Sequence, residues 1–304
     1  MASFLTIPIE VRALIISEVL FSPTPPPPPS SLSRDNRTKV QDIQYISWSC
    51  RAYLEQRTTH SPSNCLPLLF TSHQIAAETR AILSLPHTSK YHLDIALVND
   101  FYLLPTWTCV PQLTTEVDEL IVSIRTLGHL ISTDDVRHQC GDGGHLGFYW
   151  SFYALLERFL RYGPVDAKRS HAKGVGKRTA YEDRHVKLKT LTLDVTSAEE
   201  LLPFPPADID YRLWHRLHRS VLRKDDRELY TARPEWAAEY LCNQIGALLR
   251  VGYGERYVRF MYEGIGAIRV FVEGEMYREW DLRALREELK EKEPWLGTLD
   301  GVGV

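Results

Sequence analysis

FLTIPIEVRALIISEVL, Phe4–Leu20, is the stretch on which the reading of the whole chain turns. Pro8 is placed as a first-turn helix proline, where its missing N–H costs nothing and its fixed φ suits the helix. Glu10 falls in the same first turn and complements the helix dipole. Onward to Leu20 only Glu10, Arg12, Ser17 and Glu18 are polar. At about 100° per residue, Glu10, Ser17 and Glu18 share one side and Arg12 sits nearly opposite. Ile9, Ala13, Ile16 and Leu20 make one apolar stripe; Val11, Ile15 and Val19 make another. A short helix with two apolar stripes wants two packing partners. Either both lie within its own fold, or one is a separate protein.

A second helix, Thr71–Leu83, follows in the stretch Leu68–Leu83, LLFTSHQIAAETRAIL, after an apolar lead-in of Leu68, Leu69 and Phe70. Thr71 and Gln74 have capping-box spacing, and Ile75, Thr79, Ile82 and Leu83 line one face. Between the two helices lies Ser22–Arg37, with Pro23 and then Pro25 to Pro29 unbroken. Such a run favours polyproline II and reads as a semi-rigid spacer or exposed insertion. Proline runs also dock on aromatic grooves of profilin, SH3 or WW type.

These helices carry a resemblance. Phe4-Leu5-x-x-Pro8-x-Glu10-Val11-Arg12-x-x-Ile15, with Leu68-Leu69 and Ser72-His73-Gln74-Ile75-x-x-Glu78, resembles the F-box-like proteins of filamentous fungi. Ile7, Ser72 and His73 stand where that family usually has leucine, cysteine and arginine. Tyr91-His92-Leu93-Asp94, Leu104-Pro105-Thr106-Trp107, Tyr153-x-Leu155-Leu156-Glu157-Arg158-Phe159-Leu160, Leu191-Thr192-Leu193-Asp194 and Arg233-Pro234-Glu235-Trp236 extend the likeness over nearly the whole chain. The resemblance implies a non-enzymatic adaptor without cofactor or metal. Phe4–Leu20 would dock on the adaptor subunit of a cullin–RING ubiquitin ligase through Leu5, Pro8, Ile9, Val11 and Ile15. Residues 91–304 would present an unknown protein substrate. The rival readings are a self-contained globular protein with that helix in its core, and an enzyme whose site carries no recognisable signature. Solvent exposure of Val11 and Ile15 separates the adaptor from the self-contained protein.

The 304 residues are 44% hydrophobic and 25% charged, as in an ordinary globular protein. A formal charge of −3 gives no global reason to bind nucleic acid or anionic lipid. Five scattered cysteines, Cys50, Cys65, Cys109, Cys140 and Cys242, form no C-x-x-C, which points to a reducing compartment. The apolar N-terminal run lacks a basic flank and is interrupted by Glu10, Arg12 and Glu18, unlike a signal peptide. No uncharged apolar run approaches the ~20 residues of a membrane helix. The expected location is cytoplasmic or nuclear.

The rest of the chain alternates strands and helices. Val40–Gln56 reads as a helix; Tyr91–Val98, Phe101–Val110 and Val117–Arg125 read as strands. Phe148–Tyr162 reads as an amphipathic helix stopped by Gly163-Pro164. Val186–Val195 is a strand whose apolar positions change face after Leu188, which suggests a bulge or burial on both sides. Asp210–Arg227 reads as a basic helix and Pro234–Val251 as a long amphipathic one. Ile265–Val272 and Met276–Trp280 form a hairpin, and Asp281 caps a last helix. No repeat with a period of about 20–50 residues is present. The expected class is α+β, with a helix-alternating α/β sheet as the alternative. The expected organisation is 1–21, an F-box-like first helix; 22–39, a proline-rich linker or insertion; 40–90, the helical remainder of the N-terminal region; and 91–304, an α+β domain with a mixed sheet and packed helices.

Other motifs carry less. Lys173-Gly174-Val175-Gly176-Lys177-Arg178-Thr179 lacks the leading glycine of a phosphate loop and has Arg178 where magnesium binding needs Ser or Thr. His138, Cys140, Asp142 and His145 gather metal-capable groups without the repeated pair of a zinc site. The basic residues of Lys168–Lys189 and of Arg212–Lys224 read as a solvated surface or localisation signal, or as a patch for phosphate backbones. Asp94, Asp100, Asp118 and Asp194 fall near strand ends, either as caps or as carboxylates brought together in space.

Overall fold

A computed structural model describes residues 4–43, 50–55, 63–85, 89–99, 101–128, 148–165, 183–197, 203–210, 232–251 and 254–301. The helices among them are α1 (Ile9–Phe21), α2 (Cys65–Leu69), α3 (His73–Leu83), α4 (Phe148–Tyr162), α5 (Pro234–Leu249), α6 (Glu255–Gly264) and α7 (Leu282–Leu289). Strands β1 (Arg37–Lys39) and β2 (Tyr53–Glu55) pair with each other. A mixed six-stranded sheet runs in the order β4-β3-β5-β6-β7-β8, built from β3 (Lys90–Val98), β4 (Tyr102–Cys109), β5 (Glu116–Leu127), β6 (Lys187–Ser197), β7 (Ile265–Val272) and β8 (Glu275–Asp281). Its four central strands are parallel, and each edge is closed by an antiparallel neighbour. This is the mixed sheet with helices of the expected α+β class.

Alternation along the strands makes the two faces chemically different. Tyr91, Leu93, Ile95 and Leu97 of β3, with Leu120, Val122 and Ile124 of β5 and Leu191, Leu193 and Val195 of β6, join one core with residues of α4, α5, α6 and α7. The opposite face carries His92, Asp94, Ser123, Arg125, Thr192 and Thr196. Asp94 is only 3% exposed, yet Arg125 engages it through two hydrogen bonds, at 2.6 and 2.8 Å. A buried carboxylate is tolerated because its charge and both oxygens are satisfied.

Val117, Leu188 and Ile265 are buried, and so are Leu120, Leu191 and Ile268 three positions on. Strict alternation would send the two sets to opposite faces. The pairing offset is the same on both sides of this level in β5–β6 and in β6–β7. The expected change of face in β6 is therefore not a bulge of that strand alone. All three strands switch together at Asp118, Lys189 and Gly266, so the ladder keeps its register. The strands crowd there: a Cβ on Gly266 would lie 2.7 Å from the Lys189 carbonyl oxygen.

Helix α4 has the ends that its sequence predicts, and Gly163 at φ 77° turns the chain out of it. Pro234 and Glu235 open α5, whose Leu241, Ile245, Leu248 and Leu249 point inward. The β7–β8 hairpin turns through Glu273 and Gly274, at φ 50° and 80°, the backbone of a type I′ turn. The Asp281 side chain accepts from the N–H groups of Arg283 and Ala284 and so caps α7. Helix α6 was not anticipated. The predicted helix over Val40–Gln56 is also corrected: Tyr53–Glu55 is a strand against Arg37–Lys39, and residues 44–49 and 56 lie outside those described. Arg37, itself buried, holds this ribbon on β4 by donating to the carbonyls of Tyr53 and Pro105 and to Glu55 and Thr106.

The proline segment does not project from the fold. Thr24 donates both its backbone N–H and its hydroxyl to the Thr108 carbonyl, at 3.0 and 3.1 Å. Thr108 is the extra residue of a bulge in β4, where the register against β3 slips between His92 and Leu93. The bulge releases its carbonyl from the ladder and aims it at the strap. Farther along, Arg125 donates to the Pro27 carbonyl at 3.0 Å. Among the described residues no helix is long and apolar enough to cross a membrane.

Substituting Gly266 by alanine forces backbone out of the way and should destabilise the protein by about 1–3 kcal/mol. The shift is read as a lower denaturant midpoint at unchanged slope; an unchanged midpoint would show that the strands can separate freely at this level.

Candidate functional site

Among the described residues, α1 gathers more exposed large apolar side chains than any other element. Its start is set by Pro8, whose carbonyl accepts from the N–H groups of Val11 and Arg12. Pro8 is thus the residue before the first helical position, one place earlier than its sequence suggests. The inner side of the helix presents Ile16 and Leu20 to Cys65, Ile75 and Ile82, forming a small core of α1, α2 and α3 separate from that of the sheet. The proline segment between α1 and α3 in sequence therefore does not prevent their packing.

Arg12 joins this inner side. Its guanidinium donates to both oxygens of Glu78 on α3, at 3.1 and 2.6 Å, and to the backbone carbonyls of Leu5 and Ile7. The two side chains are 7% and 12% exposed. Gln74 adds a third hydrogen bond to Glu78, at 3.1 Å. Arg12 therefore pins the short turn Phe4–Thr6 and α3 to the same side of α1. Helix α3 is capped by Ser72, whose hydroxyl accepts from the Ile75 N–H, and not by Thr71, which donates instead to the Pro67 carbonyl.

With Arg12, Ile16 and Leu20 turned inward, the other apolar stripe faces out. Leu5, Ile9, Val11, Leu14, Ile15 and Val19 are 42, 56, 43, 71, 40 and 51% exposed. Pro8 is exposed as well. The five residues expected to bind a partner, Leu5, Pro8, Ile9, Val11 and Ile15, are thus all on the surface. Ile9, which its spacing puts on the stripe of Ile16 and Leu20, is exposed instead. Leu14 and Val19 were missed as site residues. Val19 was visible in the second stripe; Leu14, the most exposed of the row, belonged to neither. Phe70, between α2 and α3, is 84% exposed and adds an aromatic to the helical unit. Fully burying a Leu or Ile side chain is worth roughly 1.5–3 kcal/mol, which this row realises only in part.

The unit is seated on the end of β4. Asn64 donates its N–H to the Val110 carbonyl and its side-chain amide to the Leu20 carbonyl, at 2.7 and 3.0 Å. The Cys109 thiol donates to the same Leu20 carbonyl. Burial pushes the Cys109 and Cys242 thiols up to about 11, so at neutral pH neither is a nucleophilic thiolate.

Of the other candidate groups, Asp94 and Asp194 lie at one level of the sheet, on either side of Ser123, and each described carboxylate has its own partner. Asp94 is held by Arg125, Asp118 pairs with Lys189 at 2.5 Å, and Asp194 accepts from the Gly274 N–H. Asp100 lies outside the described residues. So do 138–145, 171–179, the basic stretch up to 182, and 211–231. Among the described residues no three His, Cys, Asp or Glu side chains come together as a metal site. Two open clefts of about 330 Å³ flank the sheet, one between the proline strap and His92, Asp94 and Arg125, the other beside Arg161, Asp183, His185 and Glu263.

The hydrogen bonds from Arg12, chief among the causes, hold Glu78 below the usual carboxylate range. A carboxylate depressed on folding contributes stability above its unfolded pKa and loses it as pH falls through the folded one. The α1–α3 contact should therefore be constant near neutrality and weaken progressively below about pH 4.5. In Glu78→Gln this acid-dependent part of unfolding should vanish; an acid profile identical to that of the unmodified chain would remove the clamp from the account.

Comparison of the chain with family models, with curated proteins and with solved structures gives no match, so the functional reading rests on the residues and their geometry.

Proposed function

We propose that the chain is a non-enzymatic interaction adaptor of the F-box-like kind, the substrate-recruiting subunit of a cullin–RING ubiquitin ligase, acting in the cytoplasm or nucleus. One observation carries the reading. Helix α1 is clamped along one side and presents a group of exposed apolar side chains on the other. A helix meant only for the core would have its second stripe covered by the chain's own strands. In this one Val11 and Ile15 face solvent.

Two further features support it. Arg12 and Glu78, both among the residues that resemble F-box-like proteins, are the two halves of the clamp. The sheet is tied to the helical unit at the end of β4 without covering the outer row of α1. A ligase adaptor subunit would bury Leu5, Pro8, Ile9, Val11 and Ile15, with Leu14 and Val19 extending the same row. Association of this type gains affinity from a few desolvated apolar anchors surrounded by near-neutral contacts. The sheet domain would then hold the substrate at a fixed distance from the ligase.

The test is an affinity pull-down of the intact chain from a fungal lysate, beside Leu14→Asp and Ile15→Asp. Both positions are exposed, so a buried charge is created only in the complex. Recovery of the ligase adaptor and cullin with the intact chain alone is the expected outcome. With purified adaptor, Ile15→Ala should weaken binding by about 1–2 kcal/mol. Failure of the intact chain to retain the adaptor, or equal retention by the aspartate variants, would leave α1 without this role.

A further inference from the structure

Pro25–Pro29 is the feature that docking through α1 does not use. Ser22, before it, and Pro28, near its end, have φ/ψ of −78/123° and −63/149°. Each residue from Thr24 to Pro28 precedes a proline, which excludes helical ψ and keeps the chain extended. The run is thus a short polyproline II segment, with about three residues per turn, so that Pro25 and Pro28 share an edge.

Its attachment leaves a usable side. Thr24 is tied to Thr108 and the Pro27 carbonyl to Arg125. The turn Pro29–Ser31 closes the segment, with Ser31 donating to the Pro28 carbonyl at 2.9 Å. Pro25, Pro26 and Pro28 are exposed. The carbonyls of Pro25 and Pro26 accept no hydrogen bond from the described residues. Exposed proline rings with acceptor carbonyls between them are what aromatic proline-binding grooves read. Tethering at Thr24 and Pro27 has already removed much of the freedom such a groove would otherwise have to freeze out.

The flanks choose among the grooves. Residues 13–33 contain no Lys or Arg, and Arg34 lies 4.2 Å from the Tyr102 ring centre, stacked against the fold. Arg125, the guanidinium on the Pro27 carbonyl, is already held by both oxygens of Asp94, so among the described residues a groove that pairs an acidic pocket with a cation beside the prolines finds none to engage. A shallow aromatic groove that reads consecutive prolines without a charge needs none.

We propose that Pro25–Pro28 is a pre-organised docking ligand for a profilin-type proline-binding groove. It is independent of the docking of α1.

The experiment titrates the full chain into isotope-labelled recombinant profilin and follows it by NMR. Saturable shifts confined to the aromatic groove are expected. They should weaken by about tenfold or more in the combined Pro25→Ala, Pro26→Ala, Pro28→Ala variant. These rings are exposed and their loss leaves Thr24 and Arg125 in place, so an unchanged circular dichroism spectrum is expected alongside. Ile15→Asp should bind profilin normally. Four outcomes overturn the proposal: no saturable shift, full binding by the triple variant, binding by a free 22–32 peptide but not by the chain, or preference for an SH3 domain over profilin.

Discussion

The unbroken register of the parallel strands β3, β5, β6 and β7 is the constraint on which the other parts depend. It places one row of apolar side chains from each strand under α4 to α7 and turns a row of polar ones to the reverse face, where no described helix packs. Polar groups buried on that face must be satisfied where they lie. The bidentate Asp94–Arg125 pair is so satisfied, and the guanidinium has a donor left for Pro27. The strap is thereby laid along the sheet, with Thr24 hooked on the bulged Thr108. From its start the chain runs back into α1. The position of the N-terminal helix is thus inherited from the polar chemistry of a sheet face that begins about 70 residues later in sequence, a loop closure of modest entropic cost.

Local signals were enough wherever one physical effect dominated. Phe148–Tyr162 combines an apolar face with a Gly-Pro stop, and its ends were readable to the residue. Asp281 had a helix to cap directly after a strand, and the hairpin before it had a glycine in the turn. Val40–Gln56 misled because Ile43, Ile46, Cys50, Tyr53 and Leu54 fit a helical face, yet Tyr53–Glu55 is recruited as a strand by Arg37 and β4. Tertiary pairing overrode a short periodic pattern. Helix α6 is strongly amphipathic, with Arg259 between Glu255 and Glu263 at helical spacing, but no cap residue announces it.

Arg12 shows why a site of this kind is only half readable. On a helix wheel it is the lone charge on an otherwise apolar side, and such a charge normally marks the solvent face. Its partner Glu78 is on another helix, so the wheel cannot tell that this side is the buried one. Once the pair is seen, the orientation of α1 follows, and the exposed row with it. The residues Leu5, Pro8, Ile9, Val11 and Ile15 came from resemblance; the addition of Leu14 and Val19 needed the direction in which Arg12 points.

The level at Asp118, Lys189 and Gly266 also bears on how such a chain can vary. Because the three strands change face together, each one's side-chain phase is defined relative to its neighbours. Inserting or deleting one residue in β6 would exchange its core and solvent rows beyond that point and set it out of phase with both β5 and β7. Only a matching change in all three would restore the packing. Length variation in a lineage that keeps this sheet is therefore driven into the connections between strands, and the central strands behave as a single inherited unit.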